Sequence, residues 1–140
     1  GLHTVAHAGE EGGPDSVWDV LEHLAVERID HGINAMRDPD LVRHLAERGI
    51  PLTVCPLSNV SLHAVPSLAD HPLPAMLEAG LKVCINSDDP AYFGGYLGEN
   101  LAAVKAEFGL DAAQLATLSA NSIEASFLPS AEKRRLLSLA

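Results

Sequence analysis

Four times along this chain an apolar run ends in a polar cluster and is followed by an amphipathic helical stretch. That alternation restricts the fold more than any other feature. The runs are LHTVAHA over residues 2 to 8, RIDHG over Arg28 to Gly32, Ile50 to Pro56, and Leu81 to Asn86. Repeated β-then-α units predict an α/β fold, a parallel sheet joined by helical crossovers. The runs read as continuously apolar, as strands buried on both faces should be. Helices are predicted from Pro14 to Val26, with Val17, Val20, Leu21 and Leu24 on one face, and from Pro39 to about Arg48, with Asp38 as cap and Gly49 as stop. Further helices are predicted from about Leu73 to Ala79, Gly98 to Phe108 and Asp111 to Ala120, with a last one capped by Ser130. LSNVSLHAVPS and SDDPAYFGGY read as loops.

Each run ends in unusual chemistry: His7 with Glu10, Asp30 with His31, Ser58 with Asn59, and Asp88 with Asp89. Parallel β/α folds place their sites at the C-terminal ends of strands. The four clusters are therefore expected on one rim.

Composition narrows the partners. With a net charge of −10, the chain repels polyanions, so neither nucleic acid nor an anionic membrane is expected. No apolar stretch is long enough to span a bilayer. The basic group Lys133, Arg134 and Arg135 suits the dipole of a last helical turn. No signal peptide is evident, and Gly1 is not taken as the natural start. Cys55 and Cys84 sit in apolar runs and are expected to be buried thiols of a cytoplasmic protein rather than a disulfide. A small neutral substrate fits this balance.

The clusters allow metal-assisted hydrolysis. In HAGEEGG, His7 can supply a metal ligand and Glu10 a proton, with Gly9 permitting a tight turn between them. The alternative is a loop histidine beside a solvated acidic pair. In IDHG, His31 has the intrinsic pKa of a proton carrier, and Asp30 can tune it. A structural histidine is the alternative. In NSDDPAYFGGY, Asp88 and Asp89 follow an apolar strand, where unpartnered carboxylates are costly and a cation offsets the cost. A simple Asp-Pro turn is the alternative. His23 and His44 are expected to be solvated, and His3, His63 and His71 have no evident partners.

HAGE, DHG, CPLSN and NSDDPAYFGGY, in that order, resemble the adenosine and adenine deaminase family of zinc aminohydrolases, from residue 5 to about residue 137. CPLSN with SDDPAYFGGY looks like the adenine deaminase branch. The resemblance implies a TIM-type (β/α)8 barrel, with the four runs as strands five to eight. A whole barrel takes about 250 residues. Residues 1–140 would then be the C-terminal half of a single metal-dependent deaminase barrel domain, with the N-terminal half missing.

It also implies roles. His7 and Asp88 would ligate Zn2+, one ion per complete site. Glu10 would protonate ring N1, His31 would deprotonate the attacking water, and Asp89 would bind ring N7. Adenine would become hypoxanthine and ammonia, in purine salvage. The His-x-His pair of the family's first strand occurs nowhere in this sequence. A chain of these residues alone is therefore expected to be inactive and to need an N-terminal half-barrel. Deamination of adenosine or another 6-aminopurine is the alternative substrate reading. A non-catalytic remnant that binds purine or pairs with a subunit is the alternative of another class.

Overall fold

In the computed structural model, which describes residues 1–139, all four predicted runs form strands: β1 Val5–Ala8, β2 Arg28–His31, β3 Leu52–Val54 and β4 Val83–Ile85. They make one parallel sheet in the order β1-β2-β3-β4. Each strand lies beside its predecessor, as consecutive strands of a (β/α)8 barrel do. Among the described residues β1 pairs only with β2 and β4 only with β3, so two strand edges are open.

The first two long helices follow the sequence logic closely. α1 spans Pro14–Leu24, with Pro14 in its first turn. Val17 is fully buried, and Val20 and Leu21 pack against the core, but Leu24 faces solvent at the helix end. α2 spans Pro39–Arg48. The Asp38 carboxylate accepts the free N–H groups of Asp40 and Leu41, and its other oxygen accepts the Trp18 indole N–H at 3.0 Å. That indole bond, first among several, holds the Asp38 pKa below its usual range. Gly49 closes the helix at φ 62°. Leu41 and Leu45 are fully buried, and each contributes roughly 1.5–3 kcal/mol by transfer from water.

The loops are less open than expected. Residues of LSNVSLHAVPS form α3, Pro56–Ser61, and SDDPAYFGGY contains α5, Pro90–Phe93. Between them lies α4, Leu73–Glu78. The chain ends in α6 Leu97–Phe108, α7 Ala112–Ala125 and α8 Ser130–Leu137. α7 runs five residues beyond its expected end at Ala120, with Leu118 and Ala125 buried. Ser130 is the first residue of α8, and Pro129 occupies the cap.

One expectation is corrected. β4 is buried at every residue, but β1, β2 and β3 are not buried on both faces. Ile29, Leu52, Val54, Val83 and Ile85 bury one face under the helices. The other face carries the register row His7, Asp30, Thr53 and Cys84, with Arg28 one step below Asp30. This face is polar, and His7 is exposed on it. A sheet in a parallel β/α domain keeps such a face only where it lines a site or meets more protein.

Candidate active site

At the C-terminal end of β1 the chain turns at Gly9, whose φ is 65°. A Cβ there would meet Val17 Cγ2 at 2.6 Å and the Gly32 backbone at 3.3 Å, so the turn needs glycine for both conformation and space. The turn brings Glu10 back over the sheet. The buried Asn34 amide clamps it by donating to the carbonyls of Glu10 and Gly12 at 2.7 and 2.9 Å.

His31 ends β2, where strand alternation would send it to the helix side. It adopts φ 69° instead, an unusual conformation for a residue with a side chain. Its ring centroid lies 5.0 Å from that of His7, and its Nδ1 lies 3.2 Å from Glu10 Oε1. Burial lowers its pKa and outweighs the Glu10 carboxylate, which acts in the opposite direction. Asp30 acts on His31 through its charge, which also works to raise the His31 pKa, and its hydrogen bonds and ion pairs go elsewhere. Its Oδ1 accepts the Thr53 hydroxyl at 2.6 Å, and its Oδ2 lies 3.4 Å from His7 Nδ1.

Asp88 follows β4 with φ 56°. The buried Ser58 hydroxyl donates to its Oδ2 at 2.6 Å. Asp88, His31 and Cys55 each present a donor atom within 4.8 Å of the others. His7 is not one of that trio, although it lines the same cavity, of about 410 Å³, with Asp30, His31, Cys55 and Asp88. Burial pushes the Cys55 thiol up to about 12, so it stays protonated, and its S–H points to the Thr53 carbonyl at 3.7 Å. Both cysteines are free, as expected. Asp89, expected to bind substrate, is exposed, and its Oδ1 caps α5 by accepting from Ala91 and Tyr92.

The structure therefore gathers His7, Glu10, His31 and Asp88 from three strand ends at one rim and leaves Asp89 at its edge. The sequence placed Ser58 and Asn59 on that rim without assigning them roles. The structure supplies them: Ser58 holds Asp88, and the fully buried Asn59 donates to Glu10 Oε1 at 2.8 Å. His71 gave no signal, because its partner depends on how α3 folds back.

His71 is 3% exposed, and burial pushes its pKa down to about 4 from 6.5. The folded state keeps it neutral while the unfolded chain protonates it near 6.5, so this contribution is present above pH 6.5 and is lost as pH falls towards 4. The loss reaches about 3 kcal/mol. Denaturant unfolding at pH 7 and pH 4.5 should show it as a steeper acid destabilisation in the natural chain than in His71→Gln. Equal slopes would remove His71 as the cause.

Residues 1–140 match the sequence pattern of the adenosine deaminase family. The adenine deaminase of Streptomyces coelicolor is 56% identical over 140 residues, all of this chain and 41% of its own length. That of Hahella chejuensis is 53% identical over 137 residues, 98% of this chain and 41% of its own length. The crystal structure of the adenine deaminase from Arthrobacter aurescens superposes with a TM-score of 0.96 at 54% identity, over 98% of this chain and 42% of that one. An amidohydrolase from Burkholderia ambifaria with bound zinc superposes with a TM-score of 0.87 at 32% identity, over 96% of this chain and 38% of that one. The chain thus spans about two-fifths of the length of these relatives. Among the described residues no helix is long and apolar enough to cross a membrane.

Proposed function

The chain belongs to the adenosine deaminase family, and on that footing we propose that it carries the acid, the base and part of the metal site of a zinc-dependent adenine deaminase. The observation that carries this reading is the pairing of Glu10 Oε1 with His31 Nδ1 at 3.2 Å on the rim shared with Asp88. Two groups that must hand protons in opposite directions stand side by side there, from different strand ends.

The donor set fits a zinc ion. His7 turns Nδ1 towards the Asp30 carboxylate and, among the described residues, leaves Nε2 without a partner, the usual arrangement of a ligating histidine and its carboxylate partner. Asp88 has one oxygen held by Ser58 and, among the described residues, no hydrogen bond on the other. His7 and Asp88 would hold the ion, and Cys55, whose S–H points to the Thr53 carbonyl, is given no part in it. Bound zinc lowers the pKa of a water to about 7 and so supplies hydroxide at neutral pH.

The chain's own residues do the rest. His31 Nε2 accepts the proton of the attacking water and orients its oxygen towards C6 of the purine. Glu10 gives a proton to ring N1, so that negative charge does not build up on the ring as C6 becomes tetrahedral. His31 then returns its proton to the amine, the C6–N bond breaks and ammonia leaves, while the C6 hydroxyl proton passes to the Glu10 carboxylate, which restores the acid and leaves hypoxanthine. Asp89, next to Asp88, would hydrogen-bond N7 with the oxygen that does not cap α5.

Catalytic zinc usually has three protein ligands plus water. His7 and Asp88 are two. We assign the remaining ligation, and the cover for the open strand edges and the polar sheet face, to an N-terminal half-barrel. Against the reading that the chain is a non-catalytic remnant stand the hydrogen bonds that support Glu10 and Asp88.

Adenine is favoured over adenosine because the relatives at 53–56% identity are adenine deaminases. The test is ammonia release by the zinc-loaded, completed barrel. Adenine should be turned over with a kcat/KM at least ~100-fold above adenosine, the scale on which one site rejects a poorly fitting substrate. Residues 1–140 alone should be inactive. Equal use of both substrates overturns the substrate assignment, and activity of the isolated chain overturns the need for a second half.

A further inference from the structure

His71 lies between α3 and α4, at no strand end and in no motif used above, yet it is buried and hydrogen bonded on both ring nitrogens. Its partners fix the direction of every bond in a chain that ends on Glu10. The Leu73 backbone N–H can only donate, and it reaches His71 Nδ1 at 3.1 Å. The ring is neutral, so its one proton sits on Nε2. Nε2 faces Asn59 Oδ1 at 3.3 Å, a donor meeting an acceptor. The Asn59 amide is thereby locked with its NH2 towards Glu10 Oε1 at 2.8 Å. The flipped amide would set N–H against N–H at His71 and oxygen against oxygen at Glu10.

Oε1 also lies 3.2 Å from His31 Nδ1, which must carry the imidazole proton if Nε2 is to act as a base. With that proton in place two donors converge on Oε1 from Asn59 and His31, and their 3.2 Å contact is a hydrogen bond only in the other tautomer of His31. Among the described residues no donor reaches Oε2. A carboxyl proton on Oε1 would collide with both donors, so the acid must carry it on Oε2.

We propose that His71 is a positioning residue for the deamination, acting through the Asn59 amide to keep Glu10 Oε1 an acceptor and Oε2 the oxygen that delivers the proton. The inference rests on the function proposed above. It adds a residue that touches neither substrate nor metal and sits 61 positions away from the acid it orients.

Two measurements on the completed, zinc-loaded enzyme test it. In steady-state kinetics, His71→Leu should lower kcat ~10- to 100-fold, the usual cost of losing an orienting partner, with KM changed less than ~3-fold. His71→Gln, which restores an N–H donor towards Asn59, should recover most of the loss. Asn59→Asp, nearly isosteric but unable to donate to Glu10, should repeat the His71→Leu defect even if His71→Leu itself folds poorly. A folded His71→Leu or Asn59→Asp with natural kcat overturns the proposal. Nitrogen-15 spectra at neutral pH should show the His71 ring protonated on Nε2, and protonation on Nδ1 overturns the proposal whatever the kinetics. If the natural enzyme deaminates no 6-aminopurine, the proposed function fails, and the spectra still decide the direction of the hydrogen-bond chain.

Discussion

Glu10→Gln in the completed enzyme should lower kcat by at least ~100-fold while KM for adenine moves only a few-fold. The substitution keeps the volume of the side chain and its carbonyl-type acceptor. Asn59 Nδ2 can still donate to that oxygen, as it does to Oε1 at 2.8 Å, and Asn34 still clamps the Glu10 and Gly12 carbonyls. What is lost is a transferable proton at the position of Oε2. The acid acts as C6 becomes tetrahedral, so the loss should fall on kcat rather than on ground-state binding. Steady-state kinetics with adenine, together with equilibrium binding of hypoxanthine, separate the two effects. Turnover within a few-fold of the natural enzyme would remove Glu10 from the role of acid. A parallel loss of binding would make its role one of recognition.

The other large effect is expected at Asp88. Asp88→Asn should lower zinc affinity by more than the ~10- to 100-fold that follows loss of an outer partner of a metal ligand, and turnover should fall with zinc content. Asn is the informative replacement because Asp88 sits at φ 56°, a conformation that Asn tolerates as well as Asp. The Ser58 hydroxyl can donate to the amide oxygen as it does to Oδ2, so the local fold survives and only the charge is removed. Asp89→Asn is the control. Asn caps helices about as well as Asp, so α5 should persist and zinc should remain. Metal analysis after dialysis against a chelator, with readdition of zinc, reads the outcome. An Asp88→Asn enzyme that retains a full equivalent of zinc would exclude Asp88 as a ligand.

The site was legible in the sequence to different depths. His7, Glu10, His31 and Asp88 could be singled out because each ends an apolar run, and parallel β/α folds bring such ends together. Ser58 and Asn59 were visible as a polar pair in the right place, but a hydroxyl and an amide have no single chemistry that reveals a role. Cys55 and His71 were not legible as neighbours of the site. The short helix at Pro56–Ser61, read as loop, is what brings Asn59 between Glu10 and His71. Asp30 was read as a charge that tunes His31, which it is, but its contact with His7 was not foreseen.

By itself the sequence determined the parallel order of four strands, the caps of α2 at Asp38 and Gly49, and the set of residues available for chemistry. Periodicity and capping are local properties, written in neighbours a few positions apart. Only the tertiary structure decided that one sheet face is polar and open, that Asp30 serves His7, and that a buried amide and imidazole set the direction of the hydrogen bonds on Glu10. Those outcomes depend on contacts between residues 12 to 49 positions apart, and such contacts are set by how crossovers and left-handed turns aim side chains rather than by any periodic pattern along the chain.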